Sequence, residues 1–353
     1  MTHLKWSRFN FLVETSKHRK YLYNSYSNSL IALEDSLYES LQSLSRDDGM
    51  SNITAFSEEE IKYLEKIYAL VEDDDILVDI LHHQSMSRLY SKKTLVLTIA
   101  PTQSCNFACT YCFEKWRQSG TLSDQTENAI INYIKHLKQT EGLENINLTW
   151  YGGEPLLQYK RVISLAKRIE QLGLNINENL LITNGYFFTP EIIKELVDAK
   201  ITEIQITLDG FKEIHDIRRP LANGKGTFDT IIENLDNYYN SSFRDAFAIA
   251  IRVNIDNRNY KSFIDIYKWL NDRYKSKRLI VYPGVVVLDE NDCNASTCLS
   301  RNAVTDIVLD LFTKYGIITE ELYPDDVNIE CMTRSPYSML IGSQGEIYKC
   351  YED

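Results

Sequence analysis

From residue 94 onward, short β-rich runs alternate with stretches of helical period, and this alternation limits the possible folds more than any other feature. The strand-like runs are TLVLTIA (94–100), INLTW (146–150), LLIT (180–183), EIQITL (203–208), FAIAIRVNI (247–255) and LIVYPGVVVL (279–288). Helical spacing marks 123–140, with Ser123 as N-cap, then 159–172 and a helix opened by Thr189 and Pro190. Further helices are expected near 227–239, 260–274 and 302–315. Six strands alternating with six helices imply right-handed βαβ units and a parallel sheet, because parallel neighbours need a crossover. Six units can close partly into a barrel or lie open, and periodicity does not choose between the two.

Residues 1–93 read differently. FNFLVE and SLIALE suggest a hairpin, followed by helices around 35–44 and 57–71. This predicts a small α+β module, either a peptide-docking unit or a cap on the barrel. The 353 residues carry a net charge of −12 and are 44% hydrophobic. They can bury a sizeable core but offer no basic face for nucleic acid. The first twenty residues have no apolar h-region, and the longest apolar run is broken by Pro283 and Gly284. The expectation is therefore a cytoplasmic protein with neither a secretory signal nor a membrane span. In that compartment clustered thiols favour metal over disulfides.

Three of the seven cysteines, Cys105, Cys109 and Cys112, form C-x3-C-x2-C directly after the first of these strands. Structural zinc wants four tetrahedral ligands. No further His or Cys lies within twenty residues, the closest being His82, His83 and His136. Three thiolates and nothing else suit a cubane iron–sulfur cluster with one iron left open. The C-terminal ends of the strands carry the ligand site in such folds. There the sequence places YGGEP (151–155), Asn184-Gly185, Asp209-Gly210, and Arg252 with Asn254. Any one of these could be a turn, but four in succession, with the cysteine motif as a fifth on the same rim, argue for a site.

With Tyr111 before the last cysteine and GGEP after the second strand, the chain resembles the radical S-adenosylmethionine superfamily over about 94–290. The resemblance implies a partial (β/α)6 barrel over 94–315, with the N-terminal α+β module before it. It also implies a [4Fe–4S] cluster on Cys105, Cys109 and Cys112, whose open iron chelates S-adenosylmethionine, and an electron donor such as ferredoxin or flavodoxin. Reductive cleavage then yields a 5′-deoxyadenosyl radical that takes hydrogen from a substrate. In this reading Tyr111 belongs to the cofactor site, Gly152 and Gly153 let the backbone approach the ligand, and Glu154 meets its ammonium group. Asn184 and Thr207 reach the ribose. Arg219, from the H-D-x-x-R-like HDIRRP, meets the carboxylate, with Arg252 as a second candidate. Phe113 shields the cluster or is ordinary core.

The run from Cys331 through Gly345 to Cys350 resembles the opening C-x(9–15)-G-x4-C of the SPASM extension, which ligates auxiliary [4Fe–4S] clusters. The chain stops at Asp353, before the next family cysteines, so 316–353 reads as the beginning of a truncated extension. Cys293 and Cys298 match no motif. SPASM enzymes mostly modify peptides. The sulfatase-maturing branch typically carries Asp after the second extension cysteine, where this chain has Tyr351. The resemblance therefore implies a maturase that crosslinks a precursor peptide docked on the N-terminal module. The alternatives are a sulfatase-maturing enzyme or a leader-binding scaffold without turnover.

Overall fold

The structure, a computed structural model, describes residues 4–15, 18–46, 53–116, 119–286, 297–319 and 331–350. These fall into two compact units, residues 4–89 and the described residues from 90 onward. In the first unit β1 (Lys5–Trp6) pairs antiparallel with β5 (Leu70–Val71). A separate three-stranded antiparallel sheet holds β2 (Asn10–Glu14), β3 (Lys20–Asn24) and β4 (Ser29–Leu33) in that order. The two runs expected to form a hairpin are β2 and β4, and they do not pair. β3 lies between them, with Leu22 opposite both Leu12 and Ile31. It escapes a sequence reading because the tyrosines flanking Leu22 alternate with only one aliphatic residue.

Helices α1 (Asp35–Arg46), α2 (Glu58–Lys66) and α3 (Asp74–Leu89) complete the unit. Ser57 and Glu60 form a reciprocal capping box at the start of α2. This helix is shorter than the expected 57–71. Tyr68 adopts a left-handed φ of 60°, the chain turns, and Leu70 enters β5 instead. The core comprises Leu22, Leu41, Leu44, Leu64 and Leu70 with their neighbours.

The second unit contains β6 (Thr94–Ile99), α4 (Asp124–Thr140), β7 (Asn145–Trp150), α5 (Tyr159–Glu170), β8 (Asn175–Thr183) and α6 (Pro190–Asp198). It continues through β9 (Glu203–Thr207), α7 (Lys212–Arg218), α8 (Phe228–Tyr239), β10 (Ala248–Ile255), α9 (Phe263–Tyr274), β11 (Leu279–Val285) and α10 (Arg301–Tyr315). Two short strands follow, β12 (Ser338–Ile341) and β13 (Ile347–Tyr348). Among the described residues they form one eight-stranded sheet in the order β11-β10-β9-β8-β7-β6-β12-β13. Strands β6 to β11 are all parallel, β12 joins β6 in parallel, and β13 returns antiparallel. β11 and β13 are its edges, so the sheet is an open, partial barrel.

Alternation fixes which face each residue takes. In β10, Ile249, Ile251, Val253 and Ile255 are buried, whereas Ala248, Ala250, Arg252 and Asn254 stay partly exposed. The buried set joins a continuous core with Leu95, Leu97, Ile99, Leu148, Ile204 and Ile206. Each such side chain contributes about 1.5–3 kcal/mol on burial. The other face is more polar, and register places Thr207 beside Arg252 and Gly284 beside Asn254. Because the strands run parallel, the loops after β6, β7, β8, β9 and β10 share one rim. Among the described residues no helix is long and apolar enough to cross a membrane.

Candidate active site

The cysteine loop leaves β6 at Ala100 and is braced on both sides by main chain. On one side Ala108 N donates to Pro220 O at 2.8 Å and Thr110 N to Arg218 O at 2.9 Å, while Ala222 N donates to Asn106 O at 2.9 Å. On the other, Gly153 N donates to Thr102 O at 3.1 Å and Glu154 N to Ser104 O at 2.9 Å. This packing gives the glycines a role of their own in the fold. A Cβ on Gly152 would stand 2.5 Å from Thr102 O, and one on Gly153 would stand 2.3 Å from Ser104 O. Their missing side chains admit the main chain of the cysteine loop, and Gly152 also takes a φ of +125°.

Glu154 is fully buried. Its Oε1 accepts from Leu156 N at 2.9 Å and Thr183 Oγ1 at 2.7 Å, and its Oε2 from Asn184 N at 2.7 Å. Burial raises the carboxyl pKa, and these donors offset part of the rise. Asn184, held by Glu154 through its backbone, sends Nδ2 to Asn106 Oδ1 at 2.8 Å and stands 3.9 Å from Cys105 Sγ.

None of Cys105, Cys109 and Cys112 is in a disulfide. Cys105 touches solvent, yet desolvation by the atoms around it pushes its thiol up to about 12, with the Phe107 N–H and Arg219 working the other way. Cys109 is raised too, by burial first, with Arg219 working the other way. Thiols held this high bind metal only as the metal displaces their protons. Phe113 is 52% exposed and so is not ordinary core.

Tyr111 is a hydrogen-bonding hub. Its hydroxyl donates to Asp209 Oδ1 at 2.9 Å and accepts from Arg219 Nη1 at 2.8 Å and Asn254 Nδ2 at 3.0 Å. The Arg218 guanidinium covers the ring at 4.9 Å. Sequence reasoning placed Asp209 on the rim but gave it no role, and passed over Arg218 and Asp256, all three of which are buried. The signal available was the doublet of arginines in HDIRRP, since two adjacent charges on a short helix between a strand and a core helix need partners.

His215 and Asp216 in the same segment are structural. His215 Nδ1 lies 3.2 Å from the Asp209 N–H and accepts from it, so Nε2 carries the proton toward Thr227 Oγ1 at 3.1 Å. Asp216 Oδ1 accepts from Thr227 N and Phe228 N at the start of α8.

Arg252 and Asn254 lean over Gly284. A Cβ there would stand 2.3 Å from Arg252 Nε and 2.9 Å from Asn254 Oδ1. Thr207 is buried next to Arg252 in register. Cys331 precedes β12 and Cys350 follows β13, and neither is in a disulfide. Thr333 Oγ1 donates to Cys331 Sγ at 3.2 Å and lowers that thiol's pKa. Cys298 is disulfide-bonded. Cys293 and Tyr351 lie outside the described residues.

The residues on this rim fit a cluster and its nucleotide. Gln103 Oε1, Asn106 Nδ2, Arg219 Nε and Arg252 Nε are buried polar atoms without a hydrogen-bond partner, a costly condition that a ligand would relieve. The model of the Radical SAM superfamily matches residues 99–270. These residues form a radical SAM domain. Members of the superfamily use a [4Fe–4S] cluster and S-adenosylmethionine.

The GTP 3′,8-cyclase of Haemophilus influenzae (strain PittEE) is 29% identical over 202 residues, 54% of each chain. The cysteine-type anaerobic sulfatase-maturating enzyme of Clostridium novyi (strain NT) is 31% identical over 152 residues, 40% of each. The chain thus spans about half or less of the length of these relatives. The crystal structure of Streptococcus suis SuiB bound to precursor peptide SuiA matches 99% of this chain and 83% of SuiB, with a TM-score of 0.51 at 17% identity. That last likeness concerns the fold alone.

Proposed function

We propose that this chain is a radical S-adenosylmethionine enzyme that takes hydrogen from a ribosomally made precursor peptide to install a thioether or carbon-based crosslink. The observation that carries this reading is the rim itself: three cysteines outside any disulfide after β6, braced by GGEP on one side and by the loop carrying Arg219 on the other. A [4Fe–4S] cluster on Cys105, Cys109 and Cys112, with S-adenosylmethionine, supplies one-electron cleavage to the 5′-deoxyadenosyl radical.

The chain's own residues orient that chemistry. Arg219, buried without a carboxylate partner within 4.0 Å among the described residues, is the receptor for the methionyl carboxylate. Glu154, with lone pairs still free after three bonds, takes the ammonium group. Thr207 and Asn184 serve the ribose, Arg252 is the second cation beside them, and Tyr111 fixes the turn between the last two cysteines.

The first unit supports a peptide substrate, since β2 and β4 are the edges of its three-stranded sheet and either edge suits β-augmentation. SuiB, similar in fold over nearly the whole chain, has been solved with its precursor peptide. Cys331 and Cys350 are the candidate ligands of an auxiliary cluster. The expected setting is the reducing cytoplasm, with a ferredoxin or flavodoxin as electron donor.

Anaerobic reconstitution tests the proposal. Reduction with dithionite yields 5′-deoxyadenosine from the wild type and none once the three cysteines become alanine. A precursor peptide co-expressed with the enzyme loses a pair of hydrogens for each bond formed. A colourless protein with stoichiometric zinc and no sulfide would overturn the reading, and tight peptide binding with no 5′-deoxyadenosine would leave only a scaffold. The 31% identity to a sulfatase-maturating enzyme favours one rival substrate class. Formylglycine in a cysteine- or serine-containing sulfatase peptide would decide for it.

A further inference from the structure

Arg218 and Arg219 are adjacent in sequence and similarly buried, yet their surroundings are opposite. Arg218 donates through Nε to Asp209 Oδ2 at 2.8 Å, through Nη1 to Asp256 Oδ2 at 2.7 Å, and through Nη2 to Asn254 O at 3.3 Å. Asp256 is also held by Arg258, at 3.1 Å from Nε and 2.5 Å from Nη2. Two carboxylates, Asp209 and Asp256, therefore face two guanidiniums, Arg218 and Arg258. Arg219 is left without an ion pair among the described residues, its Nε without a hydrogen-bond partner and its Nη1 on the Tyr111 hydroxyl, with Asp209 and the buried Glu154 acting on it only through space.

The unpaired guanidinium stands close to a carboxylate that could form an ion pair with it. Tyr111 OH bridges Arg219 Nη1 at 2.8 Å and Asp209 Oδ1 at 2.9 Å, so those two atoms can be no further apart than these two bonds laid end to end. A buried, unpaired guanidinium is expensive, and a neighbouring carboxylate gains by collapsing onto it. Something must hold Asp209 back. The main chain around Asp209 is pinned too: Asp209 N donates to His215 Nδ1, and Asn259 Nδ2 donates to Asp209 O. Thr227 Oγ1 donates to Arg219 O at 2.8 Å, fixing where the second arginine starts.

We propose that Arg218 is a positioning residue: by occupying Asp209 and Asp256 it keeps Arg219 unneutralised for the carboxylate of S-adenosylmethionine. The inference rests on the ligand role given to Arg219 above, and it assigns new roles to Arg218, Asp209 and Asp256. Without Arg218, Asp209 turns to Arg219 through or past the Tyr111 phenol, and the nucleotide must displace it.

The test uses reconstituted holoenzyme and S-adenosylmethionine itself, with Kd from anaerobic equilibrium dialysis. Arg218→Gln is expected to raise Kd about tenfold or more. Adding Asp209→Asn removes the competing carboxylate and is expected to restore Kd to within about threefold of wild type, a coupling that a double-mutant cycle isolates. A merely structural role predicts the reverse, with the double variant no better than the single one, and that result overturns the proposal. Unchanged affinity in a folded Arg218→Gln protein overturns it as well.

Should Arg218→Gln not fold, Arg218→Lys keeps the charge but cannot span both carboxylates. Its Kd is expected to rise less and to be rescued by Asp209→Asn in the same way. The change that the nucleotide induces in the EPR spectrum of the reduced cluster should follow the same order. A wild-type protein that binds no S-adenosylmethionine would sink both this inference and the site reading. A wild type that binds, with a variant that binds equally well, sinks this inference alone.

Discussion

Replacing Gly153 with alanine separates a glycine kept for the cysteine loop from a glycine kept for a ligand. The new Cβ would stand 2.3 Å from Ser104 O, 2.5 Å from Gln103 O and 2.6 Å from Ser104 C. All three are main-chain atoms, so no side chain can swing aside. Ordinary contact begins near 3.4 Å, and the loop must therefore retreat by 3.4 − 2.3 = 1.1 Å. That movement strains the bonds from Gly153 N to Thr102 O and from Glu154 N to Ser104 O. Overpacking of this kind costs roughly 1–3 kcal/mol, and one lost hydrogen bond adds about 1 kcal/mol.

At about 2–4 °C per kcal/mol for a unit of this size, Tm falls by roughly 4–16 °C. Cys105 directly follows Ser104, so iron bound per chain after anaerobic reconstitution should fall in parallel. Gly142→Ala is the control. Its φ is +73° but nothing lies within 4 Å of its Cβ, so it costs only the left-handed conformation, about 1–2 kcal/mol, and leaves iron loading intact. A Gly153→Ala protein with wild-type Tm and iron would refute the packing argument. One that keeps both but loses affinity for S-adenosylmethionine would return the glycine to the ligand.

Glu154→Gln keeps the shape but turns an amide N–H toward one of three donors, and it should cost about 1–3 kcal/mol in urea unfolding. Because burial raises the Glu154 pKa, its favourable contribution is complete below the ordinary 4.5 and is lost as pH rises through the folded value. Wild type should therefore lose stability relative to the Glu154→Gln variant as pH rises from that point, as paired melting curves will show. His215 has the opposite sign. Burial, then Arg219 and Arg218, depress its pKa well below 6.5, so its contribution is complete above 6.5 and drains away as pH falls. His215→Gln should flatten that acid limb, and equal slopes in the two proteins would contradict it. In the first unit, Ser57→Ala removes the capping box of α2 and should cost about 1 kcal/mol, read as faster amide exchange across residues 58–66.

The sheet of the second unit was legible because its strands are aliphatic and buried on one face. TLVLTIA, INLTW and FAIAIRVNI became β6, β7 and β10 within a residue or so at each end. β8 runs back to Asn175, well before LLIT, because its first residues are polar and hydrophobic period cannot mark them. α7 was missed because seven residues carry too short a pattern. In the first unit, β3 was hidden by its tyrosines.

The site divides the same way. Thiols declare themselves by type and spacing, and the rim follows from strand direction. The partners of Arg218 do not, because Asp209 and Asp256 are 47 residues apart, at 209 and 256, and meet it only through the folded sheet. The contact that made Gly153 necessary is likewise between loops that sequence cannot align.

The clasp between residues 106–110 and 218–222 has a consequence for biogenesis. Three main-chain bonds join segments separated by about a hundred positions, so the amino-terminal arm has no fixed shape until the later one has been synthesised and has folded against it. Iron delivered to a ribosome-bound fragment ending before Pro220 would meet three loose thiols. A cluster held by those thiols would then be assembled only after most of this unit has left the ribosome.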